Sequence, residues 1–170
     1  MAIDECEYSF SILAEDKLPR HMSALRLKMK NPASMKDFDV AGVGPAALAR
    51  KYGFQNDFKG CYVFVEEIRP IYVGISRTVL RRLRQHVKGQ THFDASLAYR
   101  MATADHPHQL TRHDAMTMKD FRTAFEQAQE YLRRLSVAFV EIQNPLELYL
   151  FEAYCAMELD TSIWNTFATH

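Results

Sequence analysis

The sequence lacks long apolar runs. None of its runs approaches the roughly 18 residues that a membrane-spanning helix needs. Its first ten residues, MAIDECEYSF, are acidic and lack the pattern of a signal peptide. We therefore expect a cytoplasmic protein with no membrane partner. Of the 170 residues, 48% are hydrophobic and 25% are charged, which is typical of a folded globular domain and argues against disorder.

Cysteine is also scarce. The three cysteines, Cys6, Cys61 and Cys155, lie far apart in the chain and form no Cys-x-x-Cys pair. An odd number at such spacing argues against a disulfide framework and against a cysteine-bound zinc ion. We expect three buried thiols in a reducing compartment.

Charge of one sign is not in excess, since 21 acidic side chains balance 21 basic ones. Proteins that coat nucleic acid usually carry a basic excess, so the balance argues against that class. The overall charge balance does not exclude a local basic surface. Residues 77–88, RTVLRRLRQHVK, carry five Lys or Arg and no acid.

Residues 1–58 form an N-terminal extension that is partly helical. Residues 20–30 have helical spacing and are followed by a helix-ending Asn-Pro pair. Residues 45–53 begin with proline and end with glycine, which predicts a short helix. Such a helix can belong to a DNA-binding helix-turn-helix, although more often it serves only for packing.

Residues 59–170 predict an α+β fold. Runs of β-branched and aromatic residues indicate strands, and apolar residues at helical spacing indicate helices. We expect strands at 61–65, 70–75 and 137–142, helices at about 77–88, 91–101, 117–135 and 145–159, and a loop at 103–116. The first two strands form a hairpin, and the whole forms a three-stranded antiparallel sheet flanked by helices.

Two tyrosines lie in the hairpin. Side chains alternate along a strand, so a turn centred on residue 67 would place Tyr62 directly opposite Tyr72 on one face. Gly74 would leave space beside them for a close approach. The competing interpretation is an aromatic pair that only stabilises the hairpin.

The helix that follows presents an apolar stripe and two basic surfaces. Arg82 and His86, four residues apart, lie along one edge of the stripe, where they could also be ordinary snorkelling side chains. On the far side lie four cations that are suited to phosphate contacts or to a simple solvated surface: Arg77, Arg81, Arg84 and Lys88.

Glu152 lies in the last helix. Its helical neighbours are apolar, and no Lys or Arg stands three or four positions away. A carboxylate in such surroundings needs a partner, which could be a hard cation or a basic side chain elsewhere in the fold.

In this order the motifs resemble the GIY-YIG nuclease superfamily. The matching residues are Gly60 before the triplet Cys61-Tyr62-Val63, then Tyr72-Val73-Gly74, Arg82, His86, Glu152 and Asn165. The resemblance covers about residues 59–167, with a helical insertion at about 91–135 that either carries DNA contacts or covers the sheet. The first triplet departs from the usual pattern, and Ile75 stands where several relatives carry a lysine that could assist the nucleophile.

The resemblance implies a metal-dependent endonuclease. Water would attack a nucleic-acid phosphodiester, with DNA as the expected substrate and 5′-phosphate and 3′-hydroxyl products. Arg82 would bind the phosphate, Glu152 would hold one Mg²⁺ or Mn²⁺ ion, and Tyr62 would accept a proton from the water.

The remaining family positions would support the reaction. Tyr72 and His86 would orient the phosphate and the water, and Asn165 would hydrogen-bond within the site. We expect all six residues to converge on one concave face of the sheet. A structure that places Glu152 on the face opposite Tyr62 would end the nuclease interpretation.

Other functions stay open at this point. A GIY-YIG-shaped module could bind nucleic acid without cutting it, and the neutral net charge also suits a protein-interaction domain. A zinc site on His106, His108 and His113 is disfavoured because no matching ligand pair follows. An enzyme that cuts both strands at specific sites would usually be a homodimer.

Overall fold

The computed structural model describes residues 2–167 and shows the expected α+β fold. The strands are β1 (Ala33–Ser34), β2 (Gly60–Glu66), β3 (Arg69–Ser76) and β4 (Ser136–Glu141). The helices are α1 (Phe10–Ile12), α2 (Leu18–Met29), α3 (Pro45–Tyr52), α4 (Val79–Lys88), α5 (Ser96–Asp105), α6 (Arg112–Thr117), α7 (Lys119–Arg134) and α8 (Pro145–Glu158). A π-helical segment, Leu13–Lys17, joins α1 to α2.

The sheet has four strands in the order β1-β4-β2-β3, so the prediction of three strands is wrong by one. β2 lies antiparallel to both β3 and β4, as expected. The extra strand, β1, has two residues, too few for an alternating pattern to show in the sequence. The predicted loop at 103–116 is also partly helical, because α5 runs to Asp105 and α6 begins at Arg112.

The chain divides into two compact units. The first unit contains residues 2–33, 57–79 and 136–167, and the second contains residues 34–56 and 80–135. The predicted division into 1–58 and 59–170 follows the sequence resemblance instead and stays a prediction. Within residues 2–167, no helix is both long enough and apolar enough to cross a membrane.

The core of the first unit lies on one face of the sheet. Alternation along β2 turns Cys61, Val63 and Val65 towards this face, where α2 and α8 cover them. α8 begins where the sequence predicts, because the Asn144 side chain accepts a hydrogen bond from the Glu147 N–H (3.0 Å). Such a cap stabilises a helix by about 1 kcal/mol.

The second unit is built around α5, α6 and α7. The apolar side of α7 is buried as predicted, and so is the stripe of α4. The buried Gln129 donates hydrogen bonds to the carbonyl oxygens of Gly89 (2.9 Å) and His86 (3.4 Å). These bonds give partners to backbone carbonyl groups at the C-terminal end of α4. α3 is followed by Gly53, whose backbone has a φ of +81°. This left-handed conformation is easier for glycine than for other residues, which explains why glycine stands at this position.

Candidate active site

The two hairpin tyrosines share a face but are not paired directly. Tyr62 lies opposite Gly74, and Tyr72 lies opposite Phe64. The predicted direct pairing is wrong for two reasons. The turn is centred between residues 67 and 68 rather than on residue 67, and the register shifts by one further residue between Phe64 and Val65. The tyrosine rings are diagonal neighbours, with their centroids 6.3 Å apart.

Gly74 is required by the position of Tyr62. A Cβ atom at residue 74 would overlap the phenol ring and hydroxyl of Tyr62. Tyr62 itself is only 1% exposed. Its hydroxyl end therefore lies directly over β3, which is the edge strand of the sheet. This confirms the predicted close approach at Gly74.

Asn165 binds the open edge of the same strand. Its Oδ1 accepts a hydrogen bond from the Val73 N–H (2.9 Å), and its Nδ2 donates to the Val73 carbonyl (2.8 Å). Both backbone groups of Val73 therefore point away from β2, and the asparagine satisfies them in place of another strand. Asn165 thus fixes the backbone between Tyr72, a predicted site residue, and Gly74.

Glu152 is half-buried in α8 and has no hydrogen-bonding or ionic partner within residues 2–167. Burial raises the pKa of its carboxyl group. Among the described residues, neither a hydrogen bond nor an ion pair reaches this side chain. The sequence left open a salt bridge at this position, and the described part of the chain supplies no cation for one.

Glu152 faces the core side of the sheet. Burial raises the pKa of the Cys61 thiol, and the neighbouring Cys155 thiol and the Glu152 charge act in the same direction. Cys61 points to the face that α8 covers, whereas Tyr62 points to the opposite face. The expectation that all six residues share one face is therefore wrong for Glu152. The sequence-based criterion, under which this placement would end the nuclease interpretation, is met; it assumed that a site must lie on one face of the sheet.

The edge of β3 offers a different arrangement. The Tyr62 hydroxyl lies over this strand on one side, Asn165 binds its open edge, and α8, the helix that carries Glu152, contacts it from the other side. An edge strand can be approached from both faces, so these groups can serve one site without sharing a face.

Arg82 and His86 belong to the second unit. The Arg82 guanidinium holds the loop before α5, because Nη1 donates to the Asp94 carbonyl (2.8 Å) and the Phe93 carbonyl (3.4 Å) and Nη2 donates to Ser96 Oγ (2.7 Å). Its Nε–H makes no hydrogen bond to the described residues. His86 is fully buried, and burial, together with the Arg82 charge, holds its pKa well below the usual range. It is therefore neutral at pH 7.

The four predicted phosphate-binding cations differ in their surroundings. Arg77, in the first unit, and Arg81, in the second, are exposed. Arg84 donates to the Val43 carbonyl, and Lys88 lies 3.9 Å from the Asp39 carboxylate. Arg77 and Arg81 are therefore more accessible to a phosphate from solvent than Arg84 and Lys88, which are only partly exposed.

Within residues 2–167, no group of three or more His, Cys, Asp or Glu side chains is arranged to hold a metal ion. A single carboxylate is a different case, since Mg²⁺ keeps several waters and often binds through one or two carboxylates. Glu152, which is half-buried and has no ionic partner in the described part of the chain, fits that requirement.

Comparison with known proteins gives one match. The model of the GIY-YIG catalytic domain family matches residues 58–154, more than half of the chain. The match includes five of the six predicted site residues, and Asn165 lies beyond it. No match was found among curated proteins or among solved structures. The chain belongs to the GIY-YIG catalytic domain family.

Proposed function

We propose that this protein is a metal-dependent endonuclease that hydrolyses phosphodiester bonds of DNA. Nuclease activity in general follows from the family, whose nucleases generally use divalent ions. One observation carries the finer proposal: Glu152, inside the matched region, is a half-buried carboxylate without a basic partner among the described residues. Such a group is costly to keep charged unless it binds a cation.

The proposed roles follow from the chemistry of each side chain. Glu152 would hold one Mg²⁺ or Mn²⁺ ion, which when bound stabilises negative charge on the leaving oxygen. Arg82 would bind the phosphate with the N–H groups that the loop leaves available. Tyr62 would take a proton from the attacking water, which requires nearby positive charge because an ordinary tyrosine has a pKa near 10.

The other residues would position these groups. Asn165 fixes the backbone of β3 beneath Tyr62 and beside Tyr72, so it acts on the site through the strand. Neutral His86 could accept a hydrogen bond or pass on a proton. Arg77 and Arg81, both exposed, would contact phosphates away from the scissile bond. Three buried free thiols are consistent with a cytoplasmic location.

Plasmid cleavage tests the proposal. Supercoiled DNA is incubated with the protein in Mg²⁺, in Mn²⁺ and in excess chelator, and nicked and linear forms are measured. We expect nicking with either ion and none with chelator. Intact plasmid under all conditions, from protein that is folded by circular dichroism, would contradict the proposal.

DNA binding at several salt concentrations separates the two alternatives. A non-cutting nucleic-acid module would bind DNA with a steep salt dependence, and replacing Arg77 and Arg81 by alanine would reduce the slope of log K against log[salt] by about 0.9 per lost contact. A protein-interaction domain would bind DNA weakly, and the two substitutions would leave that binding unchanged.

A further inference from the structure

A cavity of about 530 Å³ lies in the first unit, between the end of β3 and the beginning of α8. Cavities that bind small ligands usually measure about 300–1,000 Å³. The lining combines basic, aromatic and aliphatic side chains: Lys59, Ile75, Ser76, Arg77, Pro145, Leu148 and Tyr149. None of these described lining residues is acidic, so an anion is favoured over a cation.

No acidic side chain of the described residues pairs with the two basic side chains of the cavity, Arg77 and Lys59. Arg77 is exposed, and neither a hydrogen bond nor an ion pair connects it to the rest of residues 2–167. Lys59 Nζ donates to the Gln143 carbonyl (2.8 Å), a neutral acceptor that positions the ammonium group without cancelling its charge. Two uncompensated cations at one cavity are suited to a phosphate group.

The opposite side of the cavity is aromatic and apolar. Tyr149 is 67% exposed, whereas the next residue towards the N-terminus, Leu148, is buried in the core. Within the described chain, no ring contact or hydrogen bond involves Tyr149, so its ring is available for stacking. Single exposed aromatic residues are common on protein surfaces. What distinguishes this one is that it lines the same cavity as the two cations.

The cavity also lies close to the proposed metal carboxylate. Tyr149 precedes Glu152 by three positions in α8, which places the two side chains about one helical turn apart on neighbouring faces. Ser76 and Arg77 follow the Tyr72-Val73-Gly74 triplet directly along the chain. A ligand in the cavity would thus contact both elements that form the β3 edge site.

We propose that this cavity binds one nucleotide of the substrate strand next to the scissile phosphate. Arg77 and Lys59 contact the phosphate of that nucleotide, and its base stacks on Tyr149. Stacking is tolerant of base identity, so the cavity takes any of the four bases. This inference rests on the proposed function, because it assigns the substrate to the same site.

The test uses metal-free protein, so that binding is measured apart from cleavage. A deoxynucleoside 5′-monophosphate, inorganic phosphate and the corresponding nucleoside are titrated separately, and binding is followed by NMR. Arg77→Ala and Tyr149→Ala are compared with two controls, Arg69→Ala at the other end of β3 and Met157→Ala, which is 82% exposed on α8. Melting temperatures show that each variant is folded.

We expect the mononucleotide to bind more tightly than phosphate or nucleoside alone. Tyr149→Ala should weaken mononucleotide binding about fivefold or more but leave phosphate binding unchanged, because one base stack is lost. Arg77→Ala should weaken both ligands. Tyr149→Phe should bind like the wild type, since it retains the ring, and both controls should be unaffected.

Two results would overturn this inference. One is the absence of saturable mononucleotide binding up to about 10 mM, and the other is equal binding by the wild type, Arg77→Ala and Tyr149→Ala. If the wild type nicks plasmid in Mg²⁺ while either result is obtained, the cavity assignment fails and the nuclease proposal stands. If nucleotide binding responds to the variants but no nicking occurs, the cavity assignment stands and the hydrolase proposal fails.

Discussion

Replacing Glu152 by glutamine separates a metal-binding role from a structural one. The substitution retains the size and shape of the side chain and removes its charge. A carboxylate in a buried salt bridge would leave a stranded cation, which costs about 3–5 kcal/mol. No such cation contacts Glu152 among the described residues. We therefore expect the free energy of unfolding to change by no more than about 0.5 kcal/mol, or to increase.

These free energies correspond to clearly different melting temperatures. For a protein of this size, 1 kcal/mol shifts the melting temperature by roughly 2–4 °C. Loss of a buried ion pair would lower it by roughly 6–20 °C. The proposed role predicts a change of no more than about 2 °C, or an increase. It also predicts a loss of Mg²⁺-dependent nicking by at least about 100-fold, with DNA binding largely retained.

The pH dependence of stability gives an internal control. Burial raises the Glu152 pKa above its usual value of 4.5, so the folded chain binds this proton more tightly than the unfolded chain. The ionised carboxylate therefore lowers stability as pH rises through the raised pKa and has no such effect well below 4.5. Without metal, wild type and variant should be equally stable at low pH, and the variant should gain relative stability as pH rises. A large drop in melting temperature with nicking retained would refute this assignment.

Three further substitutions test the arrangement around the site. Gly74→Ala should displace the Tyr62 phenol, lower stability by about 1–3 kcal/mol and reduce nicking by about 100-fold; wild-type nicking would show that the close approach is unimportant. Arg82→Lys removes the guanidinium contacts to the loop, so hydrogen exchange of the Asp94 amide should increase about tenfold; unchanged exchange would show that the loop does not depend on them. Asn165→Ala should lower the free energy of unfolding by about 1–2 kcal/mol through its two lost hydrogen bonds, and an unchanged melting curve would contradict this.

Much of the fold could be predicted from local patterns. The hairpin, α4, α7 and α8 carry strong periodicity, and the Asn144-Pro145 cap marks the start of α8 within one residue. The pairing register was missed because the turn is centred between residues 67 and 68 rather than on residue 67, and because an irregularity near Val65, which no turn residue signals, shifts it further. β1 was missed because two residues are too short to show a pattern.

The residues of the candidate site stay a prediction from motif order, and their geometry could not be derived from the sequence. Motif order assigned Tyr62 and Glu152 to one site, and both lie within the residues that match the family model. It could not show that α8 covers the face opposite Tyr62, because face assignment depends on tertiary packing. It also could not show that Arg82 holds the loop at Asp94, since these contacts join segments that are separate in the sequence. The sequence did not mark the exposed Tyr149 as a candidate functional residue, because its neighbours have the pattern of an ordinary apolar helix.

Mapping the ends of cleaved DNA tests the central claim most directly. A duplex labelled at one 5′ end is incubated with wild-type protein in Mg²⁺ and in chelator, and the products are compared with standards of known termini. The proposed mechanism predicts internal cuts only in Mg²⁺, with 5′-phosphate and 3′-hydroxyl ends. Uncut DNA in Mg²⁺, cuts that persist in chelator, or products with 5′-hydroxyl ends would contradict it.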